Sequence, residues 1–469
     1  VPLNKVTHTA VKSGNWSDPK TWKNGIIPPA KADVLIADGL KVTYDIQSNA
    51  RLDSIRVDGE LDFSTNKNTK LVIDNFVISP DGTLTVGTKN RPIGDNVKAE
   101  ILFADNGKID IAKDPTQLGR GLVSHGTVRI HGEEKTTFLK VGKDPMAGDR
   151  TLTLEKVPKN WEVGDQLVLT GTHFQDEVWN NSQRKLEYGG TQDEEVKIAA
   201  INGNRITLDR ALKYNHDTPK SQLKAYVTNF SRNIVFGNEN PNAPTQERGH
   251  IMFMHSDNVD VRYAAFNELG RTDKSKDLDD FKLDGGGLII KDKDGNPIPT
   301  DPNTVDNRRA RYSFHFHRTG TEATSKAAIA KGNAVWGSPG LGYVHHESHA
   351  IFEDNAAYDV FGAAFISESG NETGEWNNNI AIKGEGRGSF LKEVTRKNHD
   401  VGNSGVGFWF QGRIVENKGN VSANQREAGF VYSLRGPLQK DADTANFELS
   451  LIAKGARTAD PAQSNIIGF

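Results

Sequence analysis

The sequence lacks cysteine, an excess of basic residues and any long apolar run. With no Cys among its 469 residues, the chain can form neither a disulfide bond nor a catalytic thiolate. A formal net charge of −3, without a basic tail or stripe, argues against nucleic acid as a partner. No apolar run approaches the roughly 20 residues that cross a bilayer as a helix, so we expect no membrane span. The lack of cysteine also fits an exported bacterial protein, and we expect a secreted or cell-surface monomer.

Helical patterns are nearly absent, and short β-forming runs dominate the chain. Turn residues, including 46 Gly, separate these runs at short intervals, which predicts an all-β protein. In the C-terminal half, similar motifs begin with asparagines 22, 24, 19 and 22 residues apart, at Asn333, Asn355, Asn379, Asn398 and Asn420. This spacing predicts the coils of a parallel β-helix, in which stacked asparagines bond to turn backbones. A β-sandwich with coincidental spacing is the alternative.

The first third of the chain has a different pattern. Trp16 and Trp22 lie in a turn-rich opening segment, and glycines recur between the short strands that follow. We interpret this segment as a small β unit that covers the end of the helix, where unpaired strand edges would otherwise aggregate. The predicted domains are therefore an N-terminal β domain at 1–125 and a parallel β-helix at 126–469, which carries the functional groove.

The segment Arg311–Arg318 concentrates candidate chemistry. Its phenylalanines and histidines alternate, so in a strand His315 and His317 project from one face and the phenyl rings from the other. His315 and His317, with His345 from an adjacent coil, could hold a divalent metal such as Ca, Zn or Mn. One of them could instead act as a general acid or base near neutral pH, or the rings could simply stack in a groove wall.

Charged side chains near these histidines suit an acidic sugar polymer. The guanidinium groups of Arg311 and Arg318 match uronate carboxylates, which they can bind through two hydrogen bonds. Glu368 and Glu372 are candidates for the two carboxylates that a glycoside hydrolase needs, and Glu372 could instead hold a cation or orient a histidine. The pattern therefore favours a groove for an anionic glycan.

Several motifs resemble one known family. They are the Trp16/Trp22 opening with its spaced glycines, Gly132, Trp161–Asp165, Arg311–His317, His345–Asp354 and Gly362–Glu372. In this order they resemble the eight-glycine-domain proteins, which include the cell-migration-inducing hyaluronan-binding protein and the transmembrane hyaluronidase. The family's His-Gly pair reads His345-His346 here. The resemblance implies a right-handed parallel β-helix that binds or depolymerises a hyaluronan-like glycan, and it favours Glu368, which lies in the matching acidic block.

The resulting hypothesis is an exported enzyme that depolymerises an anionic, uronate-containing glycan. A groove of histidines and arginines favours a lyase, whereas a pair of glutamates favours a hydrolase. The alternatives are a non-catalytic glycan-binding module and a structural or adhesion protein in which the histidines only stack. The predicted catalytic residues are His315, His317, His345, Arg318 and Glu368, and the predicted metal ligands are His315, His317 and His345. The predicted substrate contacts are Arg271, Lys274, Arg311, Trp376 and Glu372.

Overall fold

The computed structural model describes residues 2–285, 287–321, 324–388, 400–412 and 414–433. These residues form 35 strands and five short 3₁₀ helices. One sheet of 27 strands winds into a parallel β-helix, six strands form an antiparallel sheet, and two form a hairpin. The predicted all-β parallel β-helix is confirmed. No helix in the described ranges is long and apolar enough to cross a membrane.

The parallel β-helix begins near the N-terminus and is interrupted once by an insert. Its first part contains β1 (His8–Thr9), β2 (Gly14–Asn15), β3 (Asp33–Ile36), β4 (Lys41–Tyr44), β5 (Gln47–Val57), β6 (Glu60–Phe63), β7 (Thr69–Ile78), β8 (Thr83–Val86), β9 (Ala99–Phe103), β10 (Gly121–Ser124) and β11 (Thr127–His131). The insert contains β12 (Phe138–Lys140), β13 (Thr151–Thr153), β14 (Gln166–Leu169), β15 (Val178–Asn180), β16 (Lys185–Glu187), β17 (Glu194–Asn202), β18 (Arg205–Leu208) and β19 (Tyr226–Asn229).

The second part of the helix carries the remaining strands. They are β20 (Ile234–Asn238), β21 (His250–Met254), β22 (Val259–Arg262), β23 (Ala264–Asn267), β24 (Phe314–Gly320), β25 (Ala328–Lys331), β26 (Ala334–Trp336), β27 (Tyr343–Glu353), β28 (Ala356–Val360), β29 (Phe365–Ser367), β30 (Thr373–Asn377), β31 (Ile380–Gly384), β32 (Val406–Phe410), β33 (Ile414–Lys418), β34 (Val421–Gln425) and β35 (Ala428–Tyr432). The 3₁₀ helices are Leu3–Lys5, Pro19–Thr21, Lys23–Gly25, Thr245–Glu247 and Pro302–Thr304.

Each coil of the second part contributes strands to three faces of the helix. Face A contains β21, β24, the first half of β27, β29, β32 and β35. Face B contains β22, β25, the second half of β27, β30 and β33. Face C contains β20, β23, β26, β28, β31 and β34. All of these pairs are parallel, so equivalent positions of successive coils form columns along the helix axis.

The interior of the coils is filled by aligned apolar side chains. One buried cluster extends from Ala10 in the first coils to Val415 near the last. Within it, the rings of Tyr343, Phe365 and Phe408 stack at centroid distances of 4.7 and 4.8 Å, and the exposed ring of Phe430 continues the stack at 4.9 Å. This spacing equals the distance between neighbouring strands, so each coil repeats the ring position of the coil before it.

A ladder of asparagines follows the corner between faces B and C. Asn355 is fully buried, and its side-chain carbonyl accepts from the backbone N–H of Asn333 at 3.0 Å. Its own backbone N–H donates to Asn379 Oδ1 at 3.0 Å, and Asn379 bonds in the same way to Asn420 at 2.8 Å. Four of the five predicted asparagines therefore form the ladder, and Asn398 lies outside the described residues.

Replacing Asn355 with alanine is expected to lower the free energy of unfolding by roughly 2–4 kcal/mol, because buried backbone groups above and below lose their partner. The Asn355 amide also donates to the Ala330 carbonyl at 2.8 Å, which the variant would leave without its bond. Urea denaturation followed by circular dichroism measures the change. Asn181→Ala, at an exposed position in the β15–β16 hairpin, is the control. Equal midpoints for the two variants would contradict a supporting role for the ladder.

Parallel pairing continues through the boundary that the sequence predicts at residue 125. Strand β10 pairs with β7 before it and with β21 of the second part. Trp16 and Trp22 are buried in the first coil, with ring centroids 4.7 Å apart. The strands of residues 1–125 are thus themselves coils of the β-helix, and the two predicted domains share one ladder. The segment with its own separate core is the insert, whose antiparallel sheet buries a second apolar cluster from Leu139 to Val227.

Candidate metal-binding site

Two neighbouring strands of face A bring three histidines together. In β24 and β27, His317 pairs with His346 and Phe316 pairs with His345. Because side chains alternate along each strand, His315, His317 and His346 lie on the outer side, whereas Phe316 and His345 face the core. One ring nitrogen from each of the three outer histidines lies within 4.8 Å of the others. Among the described residues, this is the one group of three or more His, Asp or Glu with a metal-binding arrangement.

An apolar layer on the outside of face A removes His315 from solvent. Tyr312, Leu341 and Trp409 belong to this layer, and His315 is fully buried among its neighbours. Neither ring nitrogen of His315 has a well-formed hydrogen bond, although the Ala310 carbonyl lies close enough to interact with the ring. Burial lowers the pKa of His315 to about 3, so the imidazole is neutral and retains a free lone pair.

His317 occupies the half-exposed rim of this layer. Its Nδ1 has no hydrogen-bond partner among the described residues, and its ring centroid lies 4.7 Å from that of His346. Burial, together with the neighbouring His315 and His346, lowers the pKa of His317 far below its usual range. His255, which is exposed, continues the row, with its ring centroid 6.1 Å from that of His317. The rim therefore holds the neutral imidazole of His317, whose Nδ1 is buried and has no partner in the described ranges.

Glu368 orients the third histidine. The Nδ1 of His346 lies 2.7 Å from Glu368 Oε2, and its Nε2 lies 3.5 Å from Glu347 Oε1. Burial by itself lowers the pKa of His346, but the hydrogen bonds to the two carboxylates raise it above its usual range. Burial raises the pKa of Glu368, but the bond from His346 outweighs it and brings that pKa down to about 2. Glu347 also pairs with Arg318, whose Nε lies 3.1 Å from Glu347 Oε2.

The donor set suits a transition metal. His315 and His317 are neutral imidazoles without competing partners. His346, whose raised pKa keeps it protonated at neutral pH, would bind a metal through Nε2 by releasing that proton, while its Nδ1–H stays donated to Glu368. Imidazole nitrogens favour zinc, copper, nickel or iron, whereas calcium and manganese favour oxygen ligands. Of the three metals that the sequence suggested, zinc therefore matches these residues.

The prediction of His345 as a metal ligand and catalytic residue is wrong, because its ring faces the core. His345 is fully buried, and its Nε2 donates to the Ser348 carbonyl at 2.7 Å. Its Nδ1 accepts from Trp376 Nε1 at 3.3 Å, which completes its hydrogen bonding. A difference of one residue in strand register reverses which side of the sheet a side chain faces, so His346 takes the place predicted for His345.

The side chains of Arg271 and Arg311 donate hydrogen bonds to backbone carbonyls and do not face a groove. Nη2 of Arg271 donates to the Gln117 carbonyl at 2.6 Å, and its other bonds also go to backbone carbonyls. Arg311 donates to the carbonyls of Gln117 and Thr116 at 2.8 and 2.7 Å. Both side chains thus fasten the loop that precedes β10 to the helix. Their predicted role in substrate binding is corrected accordingly.

Lys274, Trp376 and Glu372 are also enclosed by protein. Lys274 Nζ lies 2.5 Å from Asp400 Oδ1 in a pair whose side chains are 1% and 0% exposed. Trp376 is 0% exposed inside face B. Glu372 is 0% exposed as well, and it accepts from the backbone N–H groups of Ser369, Gly370 and Glu347 at 2.6, 2.7 and 3.2 Å.

These burials change the predicted roles. Lys274 and Trp376 are not accessible to a polymer, so the prediction that they contact substrate is corrected. Glu372 holds the turns that carry Glu368 and Glu347, which makes it a positioning residue. Of the predicted site residues, the structure brings together His315, His317, Arg318 and Glu368. The sequence interpretation missed His346, Glu347 and His255, although aligning the Phe-His-Phe-His segment with the next coil would have indicated His346.

Two families match different parts of the chain. Residues 21–142 match the G8 domain family, and residues 306–450 match the CEMIP β-helix family. A G8 domain-containing protein of Dictyostelium discoideum is 29% identical over 247 residues, which cover 51% of this chain and 16% of the relative. Communication mutant protein F of the same organism is 25% identical, with coverage of 78% and 29%. Human Fibrocystin-L is 25% identical, with coverage of 84% and 10%. The chain thus spans less than a third of each of these relatives.

Solved structures to which the chain is similar include bacteriophage tailspikes. The Gp54 tailspike of Acinetobacter baumannii bacteriophage AP22, solved with a capsular saccharide, is 11% identical and covers 81% of this chain and 52% of its own. The gp49 tailspike of Pseudomonas phage LKA1 is 10% identical, with coverage of 81% and 54%. Both TM-scores are 0.17, so neither tailspike superposes on the chain as a whole.

Proposed function

We propose that this chain, a member of the G8/CEMIP-type family that joins a G8 domain to a CEMIP-type β-helix, depolymerises an anionic, uronate-containing, hyaluronan-like polysaccharide outside the cell. The observation that carries the proposal is the cluster of His315, His317 and His346 on face A, in which His315 is buried and the other two histidines are half-exposed. The guanidinium of Arg318 lies beside the cluster with its side chain 50% exposed, where it can meet a uronate carboxylate.

The proposed site would hold a divalent metal, and its three imidazole donors match zinc. A bound zinc ion would supply a Lewis acid for a sugar or carboxylate oxygen. His315, His317 and Nε2 of His346 would hold it, and Glu368 would fix the His346 ring by accepting its Nδ1–H. The apolar layer over His315 excludes water from one side of the site, which strengthens electrostatic interactions within it.

The carboxylates near the cluster favour elimination over hydrolysis. A glycoside hydrolase needs a protonated carboxyl group opposite a second carboxylate. Here Glu368 and Glu347 are both engaged by His346, which counters the effect of burial and lowers the pKa of each, while Glu372 is enclosed by backbone. In elimination, a base removes the proton beside the uronate carboxylate, those electrons form the new C=C bond, and the C–O bond at the neighbouring carbon breaks. The oxygen takes up a proton from solvent water as it leaves, and His255, exposed with its ring centroid 6.1 Å from that of His317, would act as the base.

The test is a screen of anionic polysaccharides with the zinc-loaded protein: hyaluronan, chondroitin sulfate, alginate and pectate. Chain length is followed by size-exclusion chromatography and unsaturated uronate by ultraviolet absorbance, with and without EDTA. The proposal predicts shortened chains, rising absorbance and loss of both in EDTA. Shortened chains without absorbance would overturn elimination and favour hydrolysis. If the polymers bind but are not shortened, the result contradicts enzymatic activity and supports a non-catalytic glycan-binding function.

Replacing Glu368 with glutamine is expected to weaken zinc binding about 10–100-fold, because the neutral amide orients and polarises His346 less strongly. Competition with a chelating dye measures the dissociation constant, and the cleavage rate should fall in parallel. Glu416→Gln, at an exposed position of β33, is the matched control and should leave zinc binding unchanged. Unaltered zinc affinity in the Glu368 variant would contradict the assigned role of its carboxylate.

A further inference from the structure

A cleft separates the insert from the side of the β-helix. Its volume is about 550 Å³, and it shares no lining residue with the histidine cluster. The insert forms one wall through residues 134–140, with Lys156 and Tyr226 beside them. The corners of successive coils form the floor.

The floor of the cleft is built from aligned backbone turns. Tyr263, Asp354, Asn378 and Gly419 each precede a new strand of face C, and all have positive φ, between 53° and 67°. The ring of Tyr263 lies directly over Gly332, where an added Cβ would come within 2.3 Å of it. The ring is therefore held in place, half-exposed, as a flat surface in the cleft.

The wall carries two cations without an ion-pair partner in the described ranges and one further acid, Glu155, whose Oε1 accepts from the Lys140 backbone N–H at 3.2 Å. Lys135 is paired with Asp165, and Lys159 is paired with Glu134. In contrast, Lys140 and Lys156 form no ion pair within the described ranges. Lys140 Nζ lies 5.6 Å from the centre of the Tyr226 ring, which places a cation next to a second aromatic surface.

The acid on the floor, Asp354, loses its charge as the pH falls through about 6. Burial, with Glu353 and Glu134 adding to it, raises the pKa of Asp354 to about 6, while Lys331 and Lys156 oppose the shift. Its nearest cation is Lys331, whose Nζ lies 3.9 Å from Asp354 Oδ2. Near pH 6, this carboxyl group is therefore neutral in about half of the molecules.

We propose that this cleft is a second saccharide-binding site, which holds an acidic segment of the polymer away from the site of cleavage. The ammonium groups of Lys140 and Lys156 bind a uronate carboxylate, and the rings of Tyr226 and Tyr263 pack against sugar rings. The choice of ligand rests on the proposed function. The cleft itself is independent of the histidine cluster, because different elements build it.

The experiment measures binding of a hyaluronan octasaccharide by isothermal titration calorimetry in the metal-free His317→Ala protein, where cleavage and metal-dependent binding are removed. Binding is expected to persist there. Adding Lys140→Ala and Lys156→Ala together should weaken it about tenfold, because two charge-assisted contacts are lost. Lys20→Ala with Lys23→Ala removes the same charge from exposed positions elsewhere and should change the affinity less than twofold.

Three outcomes would contradict the proposed saccharide-binding role of the cleft. They are an absence of binding in the His317 variant, equal affinity in the two double-lysine variants, and unchanged affinity in Tyr226→Ala. The polysaccharide screen distinguishes this failure from failure of the proposed function. If wild-type protein still shortens chains, only the second binding site is contradicted. Conversely, octasaccharide binding without cleavage of any polymer would support the binding role of the cleft and contradict the proposed depolymerising activity.

Discussion

Protein carrying His317→Ala is expected to lose zinc affinity by more than about 100-fold and to retain almost no depolymerising activity. The variant removes one of three imidazole donors, and loss even of an outer partner of a metal ligand typically costs 10–100-fold. The fold should survive, because His317 lies half-exposed at the rim and its Nδ1 makes no hydrogen bond that the variant would lose. Zinc content by mass spectrometry and cleavage of the responsive polysaccharide measure the effect.

His349→Ala is the matched control for this variant. His349 lies in the same strand, β27, but beyond the corner on face B, where its Nδ1 lies 2.9 Å from Thr373 Oγ1. It should keep zinc and activity. Full zinc content in the His317 variant would remove this residue from the proposed metal site. Normal zinc content with lost activity would instead place His317 in the chemistry and not in the ligand set.

Replacing Trp376 with alanine is expected to destabilise the β-helix by about 3–5 kcal/mol, the usual cost of removing a buried tryptophan. Its ring is enclosed by Phe352, Phe408 and Phe410, with centroids 5.8, 6.3 and 4.7 Å away. The variant also deprives His345 of the Trp376 N–H that donates to its Nδ1. Urea denaturation measures the loss, and octasaccharide titration of the folded protein should give an unchanged dissociation constant.

Trp179→Ala provides the comparison for this experiment, because Trp179 is 54% exposed in the insert hairpin. It should shift the unfolding midpoint little, since surface substitutions usually change stability by less than about 0.5 kcal/mol. If Trp376→Ala kept wild-type stability and weakened sugar binding, Trp376 would be a substrate contact after all. Trp376→Phe should recover much of the lost stability.

The repeat could be predicted from sequence because the coil is a local unit. Each coil needs an asparagine at one corner and apolar residues at fixed distances from it, so Asn333, Asn355, Asn379 and Asn420 were visible as a period. Alternation also placed His315 and His317 correctly on the outer side of face A. Such patterns follow from the geometry of single strands.

The site was harder to predict because it depends on the register between coils and on distant segments. His345 and His346 are adjacent in sequence, and only the pairing of β24 with β27 decides which of them faces outward. The family resemblance drew attention to His345 and left His346 as a departure. The roles of Arg271 and Arg311 depend on a loop near residue 117, more than 150 positions away. No local pattern reports a contact of that kind.

The two ends of the insert meet at one corner of the coil. The backbone N–H of Glu133 donates to Asn233 Oδ1 at 3.0 Å, and the Asn233 amide donates to the carbonyls of Ile93 and Gly94 at 3.1 Å each. The chain therefore departs and returns at a single clamped point, and between these ends the insert also packs against apolar side chains of face C, including Tyr358 and Ile380. A domain exchanged at this corner would have to bury the same apolar side chains of face C. Accessory domains could be exchanged there to change which polymers are held, while the histidine cluster keeps its geometry.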